Sequence, residues 1–181
     1  MSTGLREGMA SIAHQGLIQP KETMCENGRK SNSLYIGIPK EVSFQENRIA
    51  LTPLSVALLV NNGHKVIIES GAGVGANFSD QDYSEQGALI CFDKKEVFSA
   101  DIIVKIAPPM LDEIALMHKG QTLISALQMG SLKETFIKAL LEKKINALCF
   151  EHIRDEGNTL SVVRAMSEIV GATSILLLQN I

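Results

Sequence analysis

Arg48, in the run Glu46-Asn-Arg48, is the side chain best suited to hold an anion. A guanidinium presents a planar fork that can meet both oxygens of a carboxylate. Its place between an apolar run and the helix-start signal Thr52-Pro53 leaves two readings open. It either binds a carboxylate at the edge of a sheet or lies on the surface paired with Glu41 or Glu46. Lys105 interrupts an apolar run, Ile102-Ile-Val-Lys-Ile106. A buried ammonium without a partner is costly, so Lys105 needs an acid beside it or must reach a substrate or cofactor at the sheet edge. Gln128 directly follows the run 122–127. It can donate and accept hydrogen bonds at that edge, but its amide cannot carry protons near neutrality.

Other residue types suggest less chemistry. The four histidines, at 14, 64, 118 and 152, form no metal-spaced pair, and no metal site is expected. The three cysteines, at 25, 91 and 149, include no C-x-x-C pair. Neither a zinc site nor a disulfide framework is therefore indicated, and Cys91 and Cys149 read as structural thiols in apolar surroundings. Gly71-Ala-Gly-Val-Gly75 follows a strand-like run, as a dinucleotide fingerprint would. The spacing departs from G-x-G-x-x-G, and the nearest helix cap, Ser79-Asp80, comes too late to aim a helix N-terminus at a pyrophosphate. A tight turn is expected there.

Apolar periodicity and turn residues place these side chains. Strand-like runs occupy residues 34–38, 65–69, 88–92, 101–106, 122–127 and 145–150. Helical segments lie between them. One starts at Thr52-Pro53, with Leu54, Ala57, Leu58 and Val60 as its apolar stripe, and ends at Asn62-Gly63. Others follow Ser79-Asp80 and Asp93 or span 111–117 and 132–143, the last with Phe136, Ala139, Leu140 and Leu141 along it. Strands alternating with helices imply an α/β fold: an open, mainly parallel sheet of about six strands, Rossmann-like or flavodoxin-like, with helices on both faces. Ligands of such sheets bind beyond the carboxyl ends of the strands, where Arg48, Lys105 and Gln128 fall. Residues 1–33 read as an extension with a short amphipathic helix, broken by Pro20 and a polar stretch.

With 45% apolar and 20% charged residues, the 181-residue chain has a globular balance. A net charge of −3 and the lack of any basic run argue against nucleic acid as a partner. No apolar run approaches the ~20 residues of a membrane span, and the N-terminus does not read as a secretory signal. A cytoplasmic setting is therefore the expectation.

Taken together, these motifs have a family likeness. Tyr35-Ile-Gly-Ile-Pro-Lys-Glu41 followed by Glu46-Asn-Arg-Ile-Ala-Leu-Thr-Pro53 resembles the opening of alanine dehydrogenases and of the alpha subunit of proton-translocating NAD(P) transhydrogenases. The likeness continues through Gly63-His-Lys-Val66, Glu69-Ser-Gly-Ala-Gly73, Phe78-Ser-Asp80 and Gly87-Ala88 to Met166-Ser-Glu-Ile-Val-Gly171. It implies an N-terminal domain over residues 34–165. In that family a long helix then crosses to an NAD-binding domain, and residues 166–181 resemble its start. The dinucleotide fingerprint and the catalytic aspartate would lie beyond, so the chain is expected to be truncated, to bind no NAD alone and to be inactive by itself.

The resemblance also implies roles. Arg48 matches the arginine that binds the substrate carboxylate, and Ser167 a serine near the cofactor phosphates. Lys105 and Gln128 would line the substrate cleft. Alanine dehydrogenases usually read K-V-K-E-P where this chain has Lys105-Ile-Ala-Pro-Pro109, so Ala107 replaces a substrate-binding lysine. Gln128 stands at the position of the histidine acid/base in L-H-L. The implied reaction is oxidation of L-alanine to pyruvate and ammonia with NAD, in a homo-oligomer acting on a small molecule. One alternative is a transhydrogenase alpha-subunit-like protein passing hydride between NAD(H) and NADP(H), which needs neither missing group. The run 107–116 resembles that branch, whereas Arg164 and Ser167 fit the dehydrogenase pattern. The other alternative is a non-catalytic binding or oligomerisation remnant.

Overall fold

The strands of the sheet are short runs of three to five residues. Strand β1 (Tyr35–Ile38) stops at Pro39, and helix α1 (Pro53–Asn61) opens with proline at its first turn, where a missing N–H costs nothing. Thr52 caps it, its hydroxyl accepting from the Ser55 amide, and Gly63 ends it at φ +85°. There follow β2 (Lys65–Glu69), α2 (Asp80–Glu85), β3 (Leu89–Cys91), α3 (Lys94–Val97) and β4 (Ile102–Val104). The second half comprises α4 (Leu111–Leu116), β5 (Thr122–Ser125), α5 (Glu134–Glu142), β6 (Asn146–Cys149) and α6 (Ser161–Leu178). This computed structural model describes residues 33–128, 130 and 132–178. They belong to one unit, which begins at Ser33. The helix expected in residues 1–33 lies outside the described residues.

The six strands pair in the order β3-β2-β1-β4-β5-β6, and every pairing is parallel. The chain builds outward from β1 to β3, then returns to the other side of β1 to place β4. Ile36 is thus opposite Val66 on one side and Ile102 on the other. This is the Rossmann order rather than the flavodoxin-like one, and its reversal leaves a crevice beyond the carboxyl ends of β1 and β4.

Alternation along the strands divides the core in two. Ile36, Ile38, Val66 and Ile68 pack with Val56 of α1 and Tyr83 of α2. Ile67, Ile103 and Leu123 face Val97, Phe98, Ile114, Phe136 and Leu140 on the other side. Gly37 points to this second face, where a Cβ would run into the Val97 carbonyl oxygen. Burying the Tyr83 ring pushes its phenol up to about 12, and its hydroxyl donates to the Leu51 carbonyl at 2.8 Å.

Two expected stripes are corrected. In α1 it is Val56 that faces the sheet, while Leu54 and Leu58 are exposed. That helix is apolar nearly all round, so periodicity cannot choose its buried face. In α5, Phe136 and Leu140 are buried but Leu141 is exposed. Helix α6 begins at Ser161 and carries exposed Ile169, Val170, Ile175 and Leu176. On edge strand β6, Leu148 is also exposed.

Candidate active site

A cavity of about 790 Å³ opens beyond the carboxyl ends of β4, β5 and β6, with α6 across it. Val104, Ile124, Met166 and Val170 supply apolar wall, and Arg48, Lys105, Gln128, Glu151 and Ser167 also line it. The residues singled out from the sequence therefore meet in one place, although they lie up to 119 positions apart, from 48 to 167.

Arg48 is carried by the loop between β1 and α1. Its Nε donates to Glu46 Oε1 at 2.8 Å and its Nη2 to Glu46 Oε2 at 2.6 Å. The Arg48 backbone amide also donates to Glu46 Oε1. This bidentate bond raises the arginine above its usual range and holds the Glu46 carboxyl below its own. Of the two partners left open by sequence, Glu46 makes the direct bonds. Nη1 donates one N–H to the Met166 sulfur of α6 at 3.9 Å, and its second N–H has no acceptor among the described residues.

Lys105 lines the wall, but its ammonium is fully buried and engaged. Nζ lies 3.0 Å from both Glu113 oxygens and 3.4 Å from Glu41 Oε2. Lys94 reaches Glu113 Oε1 at 2.8 Å, so two cations and two carboxylates form one network. Glu113 further accepts from the Met110 amide at the start of α4. Glu41 accepts the Ile106 amide through Oε1 at 2.6 Å. Its other oxygen is within ion-pair range of Lys105 but out of hydrogen-bond alignment. Burial consequently pushes the Glu41 carboxyl up, against the pull of Lys105.

Gln128 leaves β5 with φ +46°, a left-handed backbone uncommon for a residue with a side chain. Its amide donates to Glu151 Oε2 at 3.0 Å, which ties the loop after β5 to the turn after β6. Ser167 donates its hydroxyl to the Val163 carbonyl one turn earlier on α6 at 2.8 Å. To donate to a phosphate it would have to leave that partner.

The glycine loop makes a turn. Gly71 takes φ +73° and donates its amide to Asp80 Oδ1. A Cβ on Gly73 would lie 2.7 Å from Tyr83 Cε2, and one on Gly75 would lie 2.7 Å from the Asn47 carbonyl oxygen. These glycines admit protein, not a ligand. The loop does hold a 3₁₀ turn, Val74–Ala76, that the sequence reading did not include. Helix α2 starts only at Asp80, with its first amides engaged by a Ser79–Asp82 capping box. At the β1–β4 crevice, Pro39-Lys-Glu41 contains no glycine, and the Glu41 carboxylate bridges to Ile106, just past the end of β4, where a pyrophosphate would be repelled. The described residues therefore do not fit a dinucleotide cradle.

Of the four carboxylates that organise the site, the sequence suggests Glu41 and Glu46 as alternative partners of Arg48 but does not single out Glu113 or Glu151. Glu113 was within reach, because a lysine in a buried strand demands an acid. Nothing local singled out Glu151. The two described cysteines are free: Cys91 is buried and Cys149 half-buried. Cys91 donates to Glu96 at 2.8 Å, which pushes its thiol up. His118 and His152 are exposed, and His64 accepts the Leu34 amide. Among the described residues no group of His, Cys, Asp and Glu is arranged to hold a metal ion. No helix among them is long and apolar enough to cross a membrane.

The α/β fold agrees with that of similar proteins. Residues 37–170 match the model of the family described as alanine dehydrogenase/PNT, N-terminal domain. The chain belongs to that family. Alanine dehydrogenase of Bacillus subtilis is 38% identical over 138 residues, covering 76% of this chain and 36% of the relative. Alanine dehydrogenase of Methanococcus maripaludis is 41% identical over 143 residues, covering 78% and 38%. Among solved structures, an L-alanine dehydrogenase superposes with a TM-score of 0.74 at 36% identity, over 78% of this chain and 39% of that one. A transhydrogenase from Sinorhizobium meliloti gives 0.60 at 30% identity, over 64% and 34%. The chain thus spans just over a third of the length of the relatives it matches.

Proposed function

We propose that this chain is the substrate-side, N-terminal part of an alanine dehydrogenase-like oxidoreductase, acting on a small 2-oxo or 2-amino carboxylate. The observation that carries this reading is Arg48. Its guanidinium is fixed by Glu46 at the mouth of an apolar-walled cavity, with the second N–H of Nη1 left for a substrate carboxylate. Gln128 lines the same cavity as a hydrogen-bonding group. Lys105 holds the wall in place through Glu113 and Glu41. NAD is the hydride carrier that the family resemblance implies, with Ser167 as the candidate for contact among the described residues. The exposed apolar residues of α6 and β6 suit coverage by a further domain or another copy of the chain.

A second reading, a transhydrogenase alpha-subunit-like protein, is favoured by Ala107 and Gln128. They stand where the dehydrogenase resemblance calls for a lysine and a histidine. Titration calorimetry with pyruvate tests the first reading. Saturable binding is expected, weakened about 10–100-fold by Arg48→Ala, as loss of a charge-assisted bond implies. Absence of pyruvate binding would count against it. NADH titrated alongside is expected not to bind this chain; saturable binding would overturn the reading of the Gly71–Gly75 loop.

A further inference from the structure

Three charged side chains line the cavity: Arg48, Lys105 and Glu151. They are not equivalent. A guanidinium does not give up its proton in a protein, and Arg48 is held still further from doing so by Glu46. The Lys105 ammonium is fully buried against Glu113 and Glu41. Gln128 and Ser167 do not titrate near neutrality. Glu151 remains. It makes no ion pair among the described residues. Its Oε2 accepts the Gln128 amide at 3.0 Å and the Cys149 thiol at 3.3 Å. Its Oε1 accepts no hydrogen bond among the described residues. The carboxylate is thus oriented through one oxygen, by a 3₁₀ turn (Phe150–His152) at the end of β6, while the other is left for a ligand.

We propose that Glu151 is the proton carrier of this cavity, acting on a 2-oxo or 2-imino carboxylate anchored by Arg48. The assignment rests on the carboxylate-binding reading above. In the forward step, water adds to C2 of the iminium form of the substrate. A C–O bond forms, the C=N π pair moves to nitrogen, and the proton lost by the water passes to the Glu151 carboxylate. The products are a carbinolamine and a protonated Glu151. In reverse, the same carboxyl returns its proton to the departing hydroxyl, which leaves as water. No electrons are gained or lost, so the step needs no redox partner. Hydration of a ketone at C2 follows the same course with oxygen in place of nitrogen, except that the C=O π pair leaves an alkoxide, to which the protonated Glu151 returns its proton to give the neutral hydrate.

That equivalence supplies a test on the chain as it stands. Pyruvate in ¹⁸O-labelled water is mixed with the protein, and exchange of label into the C2 oxygen is followed by ¹³C NMR, with binding measured separately. The chain is expected to accelerate exchange saturably. Glu151→Gln keeps an oxygen for the Gln128 amide, and should bind pyruvate equally well while losing most of the acceleration. General acid–base help is typically worth ~10²–10⁴-fold. Glu151→Asp, which retracts the carboxylate by one methylene, should retain binding and part of the acceleration. It serves equally where the Gln variant does not fold. Full acceleration in a variant that binds pyruvate would overturn the assignment. So would a parent chain that binds pyruvate without accelerating exchange, which leaves the carboxylate-binding reading standing. A parent chain that does not bind pyruvate would overturn both.

Discussion

Arg48 is oriented by a carboxylate two residues away, and Lys105 is engaged by one eight residues away. The Glu113–Lys105 pair is fully buried. Breaking such a pair strands a charge, typically at a cost of about 3–5 kcal/mol, whereas replacing it with apolar groups can be neutral. Glu113→Gln is therefore expected to destabilise the fold by about 3 kcal/mol in urea unfolding. Adding Lys105→Met to that variant should recover part of the loss. A variant pair that is no better than Glu113→Gln alone would show that Lys105 does not depend on its acid partners.

At the level of elements, strand and helix positions were legible because local chemistry decides them. Proline at the first turn of α1, glycine after it and the Ser79 capping box before α2 all act within a few residues. Faces were less legible: Leu54 and Leu58 look as apolar as Val56, and only contact with β1 and β2 selects Val56. The Gly71–Gly75 turn shows why a motif needs its surroundings, since its glycines receive Tyr83, Phe78 and Asn47. Gly75 lies directly beneath the loop that carries Arg48. Gly75→Ala would push a methyl against the Asn47 backbone, and overpacking of this kind typically costs about 1–3 kcal/mol. Displacement should appear at the site too, as weaker pyruvate binding in a protein that remains folded. Unchanged affinity would mean that the Arg48 loop does not depend on this contact.

For the whole molecule, two glutamates with opposite shifts contribute to the pH dependence of stability. Glu46 has its carboxyl lowered by Arg48. Its stabilisation is present above the unfolded value, near 4.5, and is lost as pH falls through the lower folded value. Solvent screening limits its size, since Arg48 is about half exposed. Glu41 is raised by burial, so its contribution is present below 4.5 and is lost as pH rises through its folded value. Relative to the parent, Glu41→Gln should therefore gain stability as pH rises above 4.5, measured by urea unfolding at several pH values; a constant difference would rule out a raised carboxyl. The sequence by itself determined the strand and helix succession, the α/β class, the family and which residues fall at strand ends. Those properties depend on periodicity, capping and motif order, all of which are local. The tertiary structure alone decided that the chain reverses at β1 to give the Rossmann order, that Glu41 bridges the β1–β4 crevice, and that Arg48 and Glu151 share a cavity. Pairing between distant strands brings those side chains together, and no local pattern records which strands will be neighbours.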